Sequence, residues 1–238
     1  MSSAKRTRAK RLVIAEKPSV ARDLARALPE SFDKHDGYLE GPETIISWSV
    51  GHLLGLADPD HYDKRYARWR AEDLPILPER FAIRPLGGRG REQLKVLKAL
   101  ISRSDVAELV NACDAGREGE LIFAYIYEHS RSRKPVYRLW LSSLTKDAID
   151  EAFAALRPGE EMRSLEAAAR SRAEADWLVG MNATRAASVR LRRAFADGAA
   201  VSLGRVQTPT LAILARRERE IRDFEAEDYW VVEASFAS

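Results

Sequence analysis

The sequence has little cysteine and no long apolar run. Cys113 is the single cysteine among 238 residues, so no internal disulfide can form and a reducing, cytoplasmic location is predicted. No run approaches the roughly 18 uncharged apolar residues of a membrane helix, so we predict no membrane partner. Residues 1–10 are basic and lack the apolar core of a signal peptide, which predicts a solvated tail.

Lysine is missing from one long segment. Between Arg163 and Arg222 the chain has twelve arginines, no lysine and six acids, a local charge of +6 against +3 for the whole chain. This segment is therefore suited to meeting an anion. The alternative is a solvated helical surface that happens to use arginine.

Short apolar runs alternate with segments in which apolar residues recur at helical spacing. The predicted strands are residues 11–16, 38–40, 44–50, 106–113 and 136–140. The predicted helices are residues 20–28, 92–101, 118–129 and 146–156. This alternation predicts an α/β fold with a parallel sheet covered by helices on both faces.

The alternation stops at residues 157–161, which are rich in helix-breaking residues. Beyond them we predict helix to about Asp223, apart from a loop near Asp197 and Gly198, and then a strand over residues 229–236. Residues from 51 to about 90 are predicted to be irregular. The predicted domains are a basic tail (1–10), an α/β domain (11–157), a mostly α-helical domain (158–225) and the first strand of a further domain (226–238).

Acidic residues follow two predicted strands. Glu16 ends the first strand, and Asp114 follows the strand that leads into the Asp-Ala-Gly-Arg-Glu-Gly-Glu run of residues 114–120. Chemistry in such sheets gathers beyond the carboxyl ends of the strands. A carboxylate cluster there, next to a helix N-terminus, is suited to Mg²⁺ and phosphate. Alternatively, Asp114 caps the helix while Glu118 and Glu120 face water.

Residues 14–19 and 113–120 together resemble the two signatures of a Toprim domain. The resemblance implies that Glu16 is a general acid/base and that Lys17 lies near the scissile phosphate. It also implies a Mg²⁺ cofactor held by Glu16, Asp114 and Glu118. The sequence departs from the Asp-x-Asp-x-Glu pattern at Gly116, which predicts weaker metal binding and argues against two metals. The topoisomerase III branch of the type IA DNA topoisomerases includes such variants.

Residues 202–211 resemble the type IA signature that opens a DNA-contacting helix. The implied DNA-binding residues are Ser202, Leu203, Gly204, Arg205, Val206 and Gln207. Gly204 permits close backbone approach, Arg205 suits phosphate, and Gln207 suits a base edge. Without the resemblance, residues 202–211 could equally be an ordinary glycine-containing loop that precedes a helix.

Residues 172–185 resemble the family's other DNA-binding helix, with Arg172, Asp176, Thr184 and Arg185 implied in binding. Arg172 and Asp176, four residues apart, could equally be a surface ion pair. Residues 62–69 resemble a single-strand-binding segment in which Trp69 stacks on a base, although Trp69 could be a packing residue. The Gly-His-Leu run containing His52 resembles a family motif, but we interpret His52 as structural.

The resemblance runs from Arg11 to Phe236 and implies ATP-independent, Mg²⁺-dependent breakage, passage and rejoining of single DNA strands by the complete enzyme. The implied partners are DNA, mainly single-stranded, and the C-terminal part of the enzyme as a separate chain. The family's nucleophilic tyrosine stands in a Tyr-Pro-Arg-like context, whereas none of the seven tyrosines here precedes proline. We therefore predict a fragment that lacks the nucleophile and is inactive alone.

Two other functions stay open. The chain could be a non-catalytic remnant that binds single-stranded DNA. It could also be a stand-alone Toprim nuclease that uses metal-activated water, although that function leaves residues 202–211 unexplained.

Overall fold

The structure is a computed structural model that describes residues 9–88, 90–191 and 199–236. Most of the predicted basic tail and the predicted loop near Asp197 and Gly198 lie outside these residues. The chain divides into two compact units, the first being Met1–Arg68 with Ile76–Trp177 and the second Trp69–Pro75 with Leu178–Ser238. Within the described ranges, no helix has both the length and the apolar character needed to cross a membrane.

The first unit is built on a mostly parallel sheet. Its strands are β1 (Lys10–Ala15), β2 (Asp33–His35), β3 (Tyr38–Glu40), β4 (Thr44–Trp48), β7 (Val106–Ala112), β8 (Val136–Arg138) and β9 (Arg157–Pro158). Among the described residues their order in the sheet is β2-β3-β4-β1-β7-β8-β9. The four central strands β4, β1, β7 and β8 are parallel, whereas β2, β3 and β9 pair antiparallel at the edges. The predicted α/β fold is confirmed, with antiparallel edges added.

Helices cover both faces of the sheet, and the apolar strands supply a core to each. In β1, Leu12 and Ile14 face one core while Val13 and Ala15 face the other, as the alternation of a strand requires. The first core is closed by α3 (Gly90–Ile101) and α4 (Arg117–Ser130), and the second by α1 (Pro18–Ala27) and α5 (Lys146–Ala154).

A smaller sheet lies in the stretch predicted to be irregular. The strands β5 (Leu54–Leu56) and β6 (Ile83–Pro85) pair antiparallel. Between them lie the short helix α2 (Pro59–Tyr62) and 3₁₀ turns at Lys64–Ala67 and Ala71–Asp73. Three-residue strands whose partners are far apart along the chain have too little periodicity to be predicted.

The remaining helices are α6 (Arg163–Leu191), which follows a 3₁₀ turn at Gly159–Met162, and α7 (Gln207–Arg222). The second unit includes α6 from Leu178 onward and the whole of α7. Residues 224–236 have no regular secondary structure, in contrast to the strand predicted over residues 229–236. A strand forms through hydrogen bonds to a neighbouring strand. Within the described chain nothing pairs with this segment, in which Trp230 is 95% exposed.

Candidate functional site

The acidic site lies where the two central strands end. In the register of β1 with β7, Ala15 pairs with Ala112, so the residues that follow leave the sheet at the same edge. Glu16 is held there through its backbone, because the Ser49 hydroxyl donates to the Glu16 carbonyl at 3.1 Å. The Glu16 side chain is only 12% exposed. Its Oε2 atom is buried and has no hydrogen-bond partner among the residues that the structure describes.

Lys17 links the acids of the two strands. Its Nζ lies 3.1 Å from Asp114 Oδ2 and 3.8 Å from Glu16 Oε1. The hydrogen bond that Lys17 donates to Asp114 and the charges of Asp114 and Glu16 raise the pKa of Lys17 above its ordinary value. The ammonium group is therefore charged at neutral pH and lies beside both carboxylates.

Cys113 is next to these acids but is not a candidate nucleophile. The residue is fully buried behind the strand ends, and burial raises the pKa of its thiol well above the usual range. A thiol in such a position is rarely ionised and is therefore unreactive.

The loop after β7 turns tightly into α4. A Cβ added at Gly119 would lie 2.1 Å from the Asp114 carbonyl oxygen, so only glycine allows the first turn of α4 to pack against Asp114. Gly116 differs, because its backbone is extended (φ 169°) and a Cβ there would meet no described atom within 4 Å. The loop thus places Asp114 tightly and leaves room beside it.

A cleft of about 540 Å³ opens next to this loop within the first unit. Its polar lining residues are His52, Asp114, Arg117, Glu118, Arg172 and Asp176. Arg172 and Asp176 form an ion pair at 3.7 Å on α6. The cleft is therefore lined by both basic and acidic side chains, which suits a ligand that carries phosphate together with a cation.

His52 is a residue that the sequence reasoning missed. Its imidazole contacts the Glu118 carboxylate in the cleft, although we interpreted the residue as structural. The signal for it was the Gly-His-Leu run, which a single sequence does not distinguish from a core histidine.

The predicted metal ligands are brought to one region but not into one ready cluster. Asp114 is paired with Lys17, and Glu118 contacts His52. Within the described ranges, no group of three His, Cys, Asp or Glu side chains is close enough to hold a metal ion. The assignment of Glu16, Asp114 and Glu118 as ligands therefore stays a prediction.

The second unit fixes the predicted DNA-binding loop at Ser202–Gln207 against α6. The Thr184 hydroxyl donates to the Leu203 carbonyl at 3.1 Å and accepts from the Leu203 amide at 2.9 Å. Gln207 Nε2 donates to the Ser202 hydroxyl at 2.7 Å. Arg205 and Val206 are exposed at the turn into α7. Thr184 thus positions the loop, and Arg205 lies on its outer side.

Trp69 and Arg185 form a stacked pair in the same unit. The Arg185 guanidinium carbon lies 5.2 Å from the centroid of the Trp69 ring. Arg185 is only 6% exposed, whereas Trp69 is half-buried. Arg185 is thus placed to hold the tryptophan, and the part of the ring left exposed is available to a ligand.

Comparisons with known proteins bear on both units. The family model of the Toprim domain matches residues 11–144, and the DNA topoisomerase model matches residues 160–238. The full-length topoisomerase I from Thermotoga maritima has a similar fold, with a TM-score of 0.56 at 23% identity over 90% of this chain and 31% of its own.

Sequence relatives are named DNA topoisomerase 3. Those of Bacillus anthracis and Bacillus subtilis (strain 168) are 49% and 48% identical over 226 residues, 95% of this chain. The chain spans about 30% of the length of these relatives. The resemblance found in the sequence motifs is confirmed. The chain therefore belongs to the Toprim family and, with the DNA topoisomerase model matched after it, to the type IA DNA topoisomerases, and in sequence it is similar to those named DNA topoisomerase 3.

Proposed function

We propose that the chain supplies the metal-binding and first strand-binding parts of an enzyme that breaks, passes and rejoins single DNA strands with Mg²⁺ and without ATP. The observation that carries the proposal is the meeting of Glu16, Lys17 and Asp114 at one edge of the sheet. Because the chain spans about 30% of its relatives, the activity is assigned to the complete protein. We likewise propose a cytoplasmic location, because the proposed substrate is DNA.

Glu16 and Lys17 are assigned to the chemistry at the phosphodiester. Attack by a tyrosine expels a 3′-oxygen, which needs a proton, and rejoining needs that proton removed again. The Glu16 carboxyl group is suited to both transfers, since it is fixed at the strand end beside Lys17. The Lys17 ammonium offsets negative charge on the phosphate.

Glu16, Asp114 and Glu118 are the residues that would hold Mg²⁺. The donors fit the ion, because Mg²⁺ prefers a few carboxylate oxygens and leaves other positions to water and phosphate. The buried Oε2 of Glu16 is a further indication, as it has no protein partner among the described residues. When bound, the ion supplies positive charge to the phosphate oxygens. It would compete with Lys17 for Asp114 and with His52 for Glu118.

We assign the binding of the DNA strand to the arginine-rich helices α6 and α7 and to the loop between them. Arg205 and Gln207 offer donors at the N-terminus of α7, where partial positive charge also favours phosphate. The exposed part of Trp69 offers a stacking surface for a base. Arg172, with Asp176 beside it, lines the cleft next to Asp114.

The nucleophile is assigned to another part of the complete protein. None of the seven tyrosines precedes proline, and Tyr125 is buried in the core of the first unit. In this proposal the chain binds Mg²⁺ and the DNA strand, and the rest of the complete protein contributes the nucleophilic tyrosine.

A chimera tests this division. The chain is fused to the remaining part of the Bacillus subtilis relative, and relaxation of negatively supercoiled plasmid is measured. We expect Glu16→Ala to lower the rate by about 10²–10⁴-fold, the usual contribution of a general acid/base. Binding to a single-stranded oligonucleotide should stay within about twofold of wild type, since Glu16 makes no phosphate contact in this scheme. Glu151→Ala, an exposed glutamate on α5, is the control and should change neither.

The products decide between the proposal and its alternatives. A covalent 5′-phosphate adduct that disappears in Glu16→Ala supports the proposal. Free DNA ends without bound protein would favour the nuclease, and DNA binding without any cleavage would favour the non-catalytic remnant.

A further inference from the structure

A buried ionic network lies directly behind the acidic loop. Arg138, at the end of β8, is 1% exposed and donates hydrogen bonds to four main-chain carbonyls. Two of these carbonyls belong to Cys113 and Asp114, at 2.8 Å each. The others belong to Asn111 at 3.1 Å and Leu139 at 2.9 Å. One guanidinium group thus holds the whole end of β7.

Glu120 and Asn111 complete the network. Glu120, 5% exposed on α4, accepts from Arg138 Nε at 2.5 Å and from Asn111 Nδ2 at 3.2 Å. The side-chain oxygen of Asn111, Oδ1, in turn accepts from the Cys113 main-chain amide at 3.0 Å. We call Asn111, Glu120 and Arg138 the Arg138 network. Side chains from β7, α4 and β8 therefore converge on the two residues at the start of the loop.

Stability does not explain why this charge is buried. Removing two charges from water costs free energy, and their pairing in the interior recovers little of it. Replacing such a pair by well-packed apolar residues often leaves the stability of the fold unchanged or increases it. An apolar core, however, could not hold several main-chain carbonyls in fixed positions. Arginine is suited to that task because its planar group presents five donors, whereas lysine is a point charge. The Trp140 ring, 5.0 Å from the Arg138 guanidinium carbon, covers the group further.

We infer that Arg138 is a positioning residue, which fixes the main chain of Cys113 and Asp114 so that the Asp114 carboxylate is presented at the strand ends for a divalent cation. Gly119 works toward the same end, since its close approach leaves the Asp114 backbone no room to move toward α4. The inference rests on the proposed function, because it takes Asp114 as a cation ligand. Residues that orient a metal ligand affect metal affinity without touching the metal.

The test measures cation affinity and folding separately. Mn²⁺, which takes the same oxygen ligands as Mg²⁺, is titrated into the 238-residue chain with a bound single-stranded oligonucleotide and followed by its EPR signal. We expect Arg138→Lys to weaken Mn²⁺ binding by roughly 10–100-fold, the usual effect of losing a residue that orients a ligand. Oligonucleotide binding in EDTA should be unchanged.

A matched control separates positioning from general destabilisation. Arg103 makes a similar set of ionic contacts with Glu40 and Asp105, but Asp105 precedes β7 at its other end. Arg103→Lys should therefore lower the melting temperature and leave Mn²⁺ affinity at the wild-type value. If Arg138→Lys fails to fold, Glu120→Gln takes its place, since it leaves the shape of the network and removes the charge that holds Arg138.

The outcomes are distinct. Wild-type Mn²⁺ affinity in folded Arg138→Lys, or in Glu120→Gln when it stands in, overturns the positioning role, as does an equal loss of affinity in Arg103→Lys. Asp114→Asn tests the site itself. If that variant keeps Mn²⁺ affinity, the proposed metal site fails whatever Arg138 does. If it loses affinity while Arg138→Lys keeps it, only the inference about Arg138 fails.

Discussion

Two glycines in the loop after β7 have opposite surroundings. Gly116 is extended and open, so a Cβ at its position would meet no described atom within 4 Å. Gly119 is pressed against the backbone of Asp114, which leaves no space even for a methyl group. The absence of a carboxylate at Gly116 is therefore not a steric requirement of this loop.

We predict that Gly116→Asp strengthens divalent-cation binding. The substitution adds an oxygen ligand beside Asp114, and affinity for hard cations rises with the number of carboxylates. We expect binding of Mn²⁺ to tighten by roughly tenfold, equivalent to about 1.4 kcal/mol. Titration of the chain with Mn²⁺ in the presence of an oligonucleotide measures the effect.

Two variants serve as controls for this prediction. Gly116→Asn has nearly the same shape without the charge, and it should give much less than the gain of Gly116→Asp. Gly119→Ala should destabilise the fold by about 1–3 kcal/mol, the usual effect of overpacking. Equal affinity in Gly116→Asp and wild type would show that the carboxylate does not reach the cation.

At the scale of single residues, sequence reasoning predicted Glu16, Lys17 and Asp114 because each follows an apolar run that ends in a recognisable motif. The structure brings these three together. The sequence did not predict the contact of His52 with Glu118 or the hydrogen bonds of Arg138 to main-chain carbonyls. Arg138 lies in a strand that reads as apolar, and a contact with carbonyls 24–27 residues away leaves no local pattern.

At the scale of elements, an ionic cluster ties the first strands of the sheet together. Glu40 on β3 accepts two hydrogen bonds from Arg103, at 2.6 and 3.0 Å, and one from Lys10 on β1 at 2.6 Å. These hydrogen bonds, from Arg103 foremost, lower the pKa of Glu40 from 4.5 to about 2. Arg103 likewise lowers the pKa of Asp105.

We predict that this cluster makes the fold sensitive to acid. A carboxyl group whose pKa is lower in the folded chain stabilises the fold above its unfolded pKa, and the contribution is lost as the pH falls toward its folded pKa. For Glu40 the loss spans pH 4.5 to about 2. At about 1.4 kcal/mol per pKa unit the contribution is at most about 3 kcal/mol, because the group is partly exposed.

Urea unfolding at several pH values checks the prediction. The free energy of unfolding of Glu40→Gln should lie below that of wild type at pH 7, and the difference should shrink as the pH falls from 5 to 2. Asp150→Asn is the control, because it removes an exposed ion pair with Lys146 on α5, and exposed pairs of this kind contribute little to stability. A difference between Glu40→Gln and wild type that is constant with pH would refute this account.

The loop Ser202–Gln207 and the Trp69–Arg185 pair give a prediction about binding. If roughly four phosphates are neutralised, the log–log salt slope for single-stranded DNA should be about −3, from about −0.7 per contact. Arg205→Ala should reduce its magnitude by about 0.7. Trp69→Ala should weaken binding by about 1–3 kcal/mol through lost stacking, with little change in slope.

Fluorescence anisotropy at several salt concentrations measures both effects. Arg217→Ala is the matched control, since Arg217 lies on α7 and is paired with Glu220 at 3.0 Å. It should change the slope less than Arg205→Ala. A preference for duplex DNA, or binding that does not depend on salt, would count against the assigned strand-binding surface.

Sequence periodicity predicted the longer elements and failed for elements that depend on distant partners. The buried runs in β1, β4 and β7 and the amphipathic helices α1, α3 and α5 each contain enough residues to show their period. By contrast, too few residues lie in β5, β6 and the two-residue strand β9 for a period to be visible. Residues 229–236 were predicted to be a strand from their composition, but they form none. Strand propensity is not sufficient where the described chain provides no neighbouring strand to pair with.

At the scale of the whole molecule, charge is distributed unevenly along the sequence. The segment from Arg163 to Arg222 has a net charge of +6, and the rest of the chain −3. A strand-binding part and a cation-binding part require opposite local charge, since one meets phosphate and the other Mg²⁺. The uneven charge is therefore consistent with the two proposed functions, although Trp69 lies outside the arginine-rich segment and Arg172 lines the cleft beside Asp114.

We predict that the 238-residue chain alone neither relaxes supercoiled plasmid nor forms a covalent DNA adduct, with or without Mg²⁺. A nucleophile must be activated and within reach of the phosphate. No tyrosine here precedes proline, and burial raises the pKa of the thiol of Cys113. Glu16 and Lys17 can assist a transesterification but cannot begin one. Denaturing gels of the chain with labelled oligonucleotide give the measurement, and the chimera with the remaining part of the Bacillus subtilis relative is the positive control. An adduct from the chain alone would mean that it contains a nucleophile, and Tyr66, exposed in part and stacked with Arg65, would be the first residue to mutate.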